Sequence, residues 1–262
     1  MNKFVNNFKK YSNNLNQLKM LYKNADPFPH IVLDDFFNER TLKEILESFP
    51  ENLEKKGVQF NSKTEKKFSL NDTDKFSEAT NSFVNFLNSY KFLDFLNKIT
   101  DIDEKLIPDP YLIGGGLHEL KNGGFLNIHA DFNIHPHLKL DRRLNMLIYL
   151  NQNWDQKFGG SLELWGNDMK KCAKKITPNF NRVVIFSTTG HSYHGNPEKI
   201  AHPENISRKS IALYYYSNGR PSSEYRLGKH STIFRKRPNI AEEDTKFDFK
   251  KIIGNIFYKI KK

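Results

Sequence analysis

The spacing of apolar residues changes character along the chain. Leu42, Ile45, Leu46 and Phe49 recur at three and four residues and predict a helix over 39–49. Phe83, Phe86, Leu87, Tyr90, Leu93 and Leu96 do the same within a second helical stretch over 76–99. Ahead of both, PFPHIVLDDFF at 27–37 reads as an extended entry segment, because each proline keeps its predecessor out of the α region. From residue 111 the pattern becomes β-rich. Short runs at 111–119, 124–131, 144–151, 160–165, 182–187 and 208–216 are separated mostly by turn-forming clusters such as KNGG, FGG and TPNFN. Many short strands with turn signals predict a sandwich or barrel. The expectation is one mainly β domain with helical support (α+β) over 1–262. It comprises a basic helix over 1–26, helical support over 27–110, a β core over 111–217 and an extension over 218–262.

Composition narrows the class. The 262 residues include 22 Phe and 11 Tyr, which supply the buried area that a disordered chain lacks. The single cysteine, Cys172, excludes a disulfide-stapled scaffold, and no apolar run approaches a membrane span. With no apolar leader at the N-terminus, these features predict a soluble, cytoplasmic protein. The formal net charge of +11 suggests nucleic acid until it is located. Residues 1–26 carry +4 and residues 245–262 carry +5, so the body is nearly neutral. A nucleic-acid partner is therefore disfavoured. The terminal segment KFDFKKIIGNIFYKIKK instead reads as a basic amphipathic helix, either packed on the body or making peripheral membrane contact. Oligomeric state has no sequence signature.

The strongest chemistry lies in GGFLNIHADFNIHPH. Strand alternation places His129 and Asp131 on one face with Asn127 and Phe125, and Leu126, Ile128 and Ala130 behind. One imidazole and one carboxylate then converge, and a second histidine would complete a facial triad suited to non-haem Fe(II). TTGHSYHGNP, some sixty residues on, offers His191 and His194. In ISRKSIALYYYS, Arg208 and Ser210 share a face with Ala212 and Tyr214, which makes an anion site if that face is inward.

Taken in order, these elements resemble the 2-oxoglutarate and Fe(II)-dependent oxygenases of the prolyl 4-hydroxylase-like group. GGFLNIHADF resembles the strand with the H-x-D pair, and RRLNMLIYLNQNWD with FGGSLELW resembles the stretch that follows. ITPNFNRVVIFSTTGHSYHG resembles the strand and turn bearing the distal histidine, and RKSIALYYY the last strand with its arginine. The resemblance covers roughly 111–217 and implies a double-stranded β-helix (jelly-roll) core preceded by helices.

It further implies metal ligands His129, Asp131 and His194, the last preferred over His191 because Gly195 and Pro197 follow. Arg208, Ser210 and Tyr149 are implied to hold the distal carboxylate of 2-oxoglutarate. Substrate contacts are implied for Asn127, for His135 and for one of two arginines: Arg142, which aligns best with a substrate-contacting arginine of some relatives, or Arg143, which strand parity with Tyr149 would place on the cavity face. The implied cofactors are Fe(II), 2-oxoglutarate and O2, with ascorbate as an auxiliary reductant. The implied reaction is hydroxylation of an unactivated C–H bond, of a prolyl-like residue in a peptide or protein. A free amino acid or saccharide-type metabolite is the alternative substrate, and a non-enzymatic cupin-like metal- or sugar-binding module is the alternative function. One departure stands out: Leu120 occupies the place where related hydroxylases carry a tyrosine near the co-substrate.

Overall fold

The computed structural model describes residues 3–224, 228–238 and 240. The basic C-terminal helix expected over 245–262, and the membrane contact attached to it, lie outside the described residues. Among the described residues no helix is long and apolar enough to cross a membrane.

The basic segment at the N-terminus forms two short helices, α1 (Phe8–Asn13) and α2 (Leu15–Lys23), rather than one. After β1 (His30–Leu33), Asn38 caps α3 (Glu39–Glu47) by accepting the amides of Arg40 and Thr41. Next come α4 (Leu53–Lys56) and a hairpin absent from the expectation, β2 (Val58–Asn61) and β3 (Glu65–Leu70). The helical stretch predicted over 76–99 is two helices, α5 (Glu78–Leu87) and α6 (Tyr90–Thr100). Ser89 takes an extended conformation between them, and its carbonyl accepts from Phe92 and Leu93 to start the second.

The remaining strands are β4 (Ile107–Pro108), β5 (Gly116–Leu120), β6 (Phe125–Ala130), β7 (Asp141–Tyr149), β8 (Leu162–Trp165) and β9 (Cys172–Ile176). They are followed by β10 (Val183–Ser187), β11 (Tyr193–Asn196), β12 (Arg208–Ser217) and β13 (Ile233–Phe234). The strand predicted over 111–119 starts only at Gly116, because Asp109 folds the preceding residues into a turn by accepting the amides of Tyr111 and Ile113.

All these strands pair antiparallel, ten of them in the order β1-β10-β7-β12-β5-β3-β6-β11-β8-β9, with β2 on β3, β4 on β12 and β13 on β6. The sheet curls until its two ends face each other, giving the double-stranded β-helix of the expectation. On one wall Leu144, Met146, Ile148, Val183, Ile185, Ile211, Leu213 and Tyr215 turn outward. There they bury against the helices, whose Phe83, Phe92 and Phe95 join Phe36 and Phe37 in an aromatic core. The inward side chains of the same strands meet β8 and β11: Tyr149, Val184 and Phe186 pack with Leu162, Leu164 and Ile176. The space left between the walls, toward one end, is the candidate site.

Candidate active site

His129 and His194 are partners across the β6–β11 ladder, with ring centroids 4.5 Å apart. Each ring is set by a main-chain carbonyl. His129 Nδ1 meets Asn127 O and His194 Nδ1 meets Ser192 O, both at 2.8 Å. A carbonyl only accepts, so Nδ1 carries the proton in each ring and Nε2 keeps its lone pair. Asp131 follows β6 and closes the group, its Oδ1 3.5 Å from His129 Nε2 and its Oδ2 3.4 Å from His194 Nε2. Ligand atoms of the three residues lie within 4.8 Å of one another, and no other group of His, Cys, Asp and Glu converges this way among the described residues. Two neutral nitrogens and one carboxylate on one side of a cavity leave positions open and suit Fe(II). His191 sits in the preceding turn, where its amide donates to Thr189 Oγ1, and it is not in the cluster.

Burial opposes ionisation of Asp131, yet the Arg142 guanidinium, His194 and His129 hold its carboxyl well below the usual range. Burial, and then the neighbouring His129, pushes His194 down to about 4, so its ring is neutral at neutral pH beside an ionised Asp131, as a metal site requires. Asp131 Oδ2 accepts from Asn145 Nδ2 at 2.7 Å and pairs with Arg142 Nη2 at 3.1 Å. Arg142 also donates twice to Asn145 Oδ1 and stacks between the rings of Tyr214 and Phe132.

Two β-bulges alter the faces expected from simple alternation. In β6, His129 opposes His194 while Leu126 opposes Asn196, so one extra residue is accommodated between them. Leu126 therefore lines the cavity. Asn127, expected there with His129, instead reaches Lys63 O with its side-chain amide and offers its carbonyl to His129. Gly195 makes the bulge fit, since a Cβ at that position would lie 2.7 Å from Asn127 O and 2.8 Å from Leu126 O.

In β7, Leu144 opposes Tyr215 and Arg142 opposes Tyr216, so Arg143 is the extra residue. The parity argument that would place Arg143 on the cavity face fails at this bulge. Arg143 points to the opposite side and pairs with Glu104 at 2.5 Å and Glu224 at 3.4 Å. Arg142 occupies the inner side, fully buried against Asp131 rather than open to a substrate. His135, also expected to contact substrate, is a buried loop anchor. Its Nε2 faces Asp109 Oδ1 at 3.1 Å and its Nδ1 accepts the amides of His137 and Leu138.

The opposite side of the cavity carries the anion-binding candidates. Arg208 and Ser210 line it with Tyr214, as alternation predicts, and Tyr149 lies beside Arg208 with ring and guanidinium 4.9 Å apart. Arg208 Nε donates to Gly160 O at 2.9 Å. Gly160 has φ +69°, and a Cβ there would meet Ile200 at 2.3 Å and Arg208 at 2.9 Å, so only glycine lets that carbonyl reach the guanidinium. Arg208 is buried with no carboxylate partner among the described residues, and the buried Tyr149 hydroxyl makes no well-formed hydrogen bond. A buried cation without an acid partner, beside a buried hydroxyl whose hydrogen bonding is incomplete, is what a ligand carboxylate would satisfy. The enclosed volume, about 70 Å³, fits a small ligand.

Residues 115–216 match the sequence model of the 2OG-Fe(II) oxygenase superfamily. They form a 2OG-Fe(II) oxygenase domain. Mouse prolyl 3-hydroxylase OGFOD1 is 26% identical to this chain over 201 residues, covering 73% of this chain and 33% of its own length. The Xenopus laevis protein of that name is 26% identical over 198 residues, covering 72% and 35%. The chain thus spans about a third of the length of these curated relatives.

Among solved structures, a Pseudomonas putida prolyl-4-hydroxylase superposes with a TM-score of 0.56 at 13% identity, over 77% of this chain and all of the other. A Trichoplax adhaerens prolyl hydroxylase, solved with a hypoxia inducible factor peptide fragment, superposes with a TM-score of 0.51 at 18% identity, over 86% and 98%. Both share the fold. The superfamily uses Fe(II), 2-oxoglutarate and O2, and the donor set and unsatisfied anion site of this oxygenase domain fit the first two. Cavity residues that escaped the sequence reading include Lys67, His118, Asn145 and Leu126. Asn145 was legible, being two and four residues from Leu147 and Tyr149 on one strand face.

Proposed function

We propose that this protein is a Fe(II)- and 2-oxoglutarate-dependent dioxygenase that hydroxylates a prolyl residue of a peptide or protein. The observation that carries the chemistry is the pairing, within one small cavity, of the His129, Asp131 and His194 cluster with an arginine that lacks an acid partner among the described residues. The likeness to prolyl 3-hydroxylases supports the substrate class.

His129, Asp131 and His194 would hold the iron, whose chemistry when bound is the activation of O2 at the expense of 2-oxoglutarate. The chain itself supplies placement. The Asn127 and Ser192 carbonyls keep both Nε2 lone pairs aimed at one point, and Asn145 with Arg142 keeps Asp131 ionised and in a fixed rotamer. Arg208 and Tyr149 would grip the far carboxylate of the co-substrate with charge-assisted hydrogen bonds, Ser210 standing beside them. That grip orients the keto acid toward the histidines and converts a collision into a preset approach. Leu126, Leu147 and Leu162 line the same cavity and exclude water around it.

The test is oxygen-dependent succinate formation from 2-oxoglutarate by the iron-loaded protein, with proline-containing peptide pools read by mass spectrometry. Gain of one oxygen on a prolyl residue is the expected result. Succinate formation stimulated only by amino acids or saccharides would move the substrate class. No oxygen-dependent succinate with any pool would return the protein to a metal- or sugar-binding role.

A further inference from the structure

Lys67 enters the cavity from outside the segment that carries the superfamily match. It lies on β3, whose register with β5 runs Phe68↔Glu119, Ser69↔His118 and Leu70↔Leu117. Continued by one residue, that register puts Lys67 across from Leu120, which in turn opposes Arg208 on β12. A lysine and an arginine thus flank the apolar Leu120, and both line the cavity with His129, Asp131 and His194. The Lys67 side chain is only 15% exposed and its ion pair is with Glu65, at 3.1 Å. An ammonium has three donors, and one carboxylate does not exhaust them. Its charge is felt at the metal-binding side: Asp131 favours the charged lysine, and Lys67 helps to lower His118. Two strands away, Arg208 donates through Nε to Gly160 O and has no carboxylate partner among the described residues. A cavity of about 70 Å³ with a cation on either side of a leucine is built for a compact ligand bearing two negative ends.

We propose that Lys67 is a second anion-binding residue of this cavity, holding the carboxylate that lies against the metal while Arg208 holds the far one. The inference rests on the dioxygenase reading.

The test is binding without turnover, by calorimetry on the Mn(II)-loaded protein. Two probes are used: oxalate, the shorter dianion, and 2-oxoglutarate. Because removing Lys67 alone would strand a buried Glu65, the comparison is made in an E65Q background. E65Q/K67M should bind oxalate about tenfold more weakly than E65Q, the scale of one charge-assisted contact. E65Q/K67R, which keeps the charge, should stay within about threefold. R208M should lose 2-oxoglutarate affinity and keep that for oxalate. Oxalate affinity unchanged in E65Q/K67M, or lost equally in the arginine variant, overturns the role of Lys67 while leaving the dioxygenase reading intact. Wild-type protein that binds Mn(II) but not 2-oxoglutarate overturns the reading, and the inference with it.

Discussion

Asn145 donates to Asp131 across the cavity, from β7 to the end of β6, and its other amide atom receives two hydrogen bonds from Arg142. One asparagine therefore joins the carboxylate of the metal cluster to its buried counter-charge. Replacing it with leucine leaves Arg142 and Asp131 in direct contact but frees the carboxylate to rotate. Asn145→Leu should lower metal affinity about 10–100-fold with the fold retained, measured by Mn(II) titration. Unchanged affinity would show that Arg142 alone sets the rotamer.

Alanine at His129, Asp131 or His194 should remove metal binding and succinate formation together, whereas His191→Ala should retain both. A dead His191→Ala protein beside an active His194→Ala protein would reverse the assignment.

Gly195→Ala places a methyl group 2.7–2.8 Å from two main-chain carbonyls, neither of which can swing aside as a side-chain tip would. The β6 bulge must shift, and with it the carbonyl that fixes His129. A stability loss of about 1–3 kcal/mol in denaturant unfolding is expected, accompanied by weaker metal binding. Stability lost with metal affinity intact would separate the bulge from the ligand geometry.

His118 is buried beside Lys67 and Arg208; burial first, then those two charges, push it down to about 3 from an ordinary value near 6.5. Above the unfolded value both states are neutral there and no pH dependence arises. As pH falls below about 6.5 the unfolded chain takes up a proton that the folded chain refuses, so stability declines until the folded value is reached. The slope from this group approaches about 1.4 kcal/mol per pH unit. Urea unfolding between pH 7 and pH 5 should be less pH-dependent in His118→Gln by one proton, whatever its baseline. Identical slopes would mean that His118 titrates normally in the folded protein.

Arg208→Lys keeps the positive charge but loses the planar fork and the contact with Gly160. The 2-oxoglutarate concentration needed for half-maximal succinate formation should rise tenfold or more, with a smaller change in the limiting rate. An equal fall in rate at saturation would place Arg208 in the reacting step rather than in co-substrate binding.

The sequence alone was a good guide where side chains alternate without interruption. Arg208, Ser210 and Tyr214 face inward on β12, and Leu144, Met146 and Ile148 outward on β7, as period two requires. It misled at Asn127 and Arg143 for one reason. A bulge inserts a residue that no hydrophobic pattern marks, and every assignment on its far side then changes face. The β2–β3 hairpin was invisible because EKKFSL carries its lysines in succession and reads as a polar loop, although Lys67 is buried by its tertiary surroundings. The break between α5 and α6 was signalled by Asn88 and Ser89 but overridden by an apolar stripe that runs through both helices.

The recognisable oxygenase segment begins at residue 115, yet β3 contributes a cavity wall from before it and β13 pairs with β6 from after it, setting Phe234 5.5 Å from the His129 ring. The portion of the chain that carries the sequence match is therefore not the whole of what surrounds the candidate site. A fragment cut to that match would keep all three residues of the metal cluster but lose Lys67 from one side and Phe234 from the other. In such a chain the border of the sequence match and the border of the cavity wall do not coincide, so trimming to the match removes part of the wall that the match does not mark.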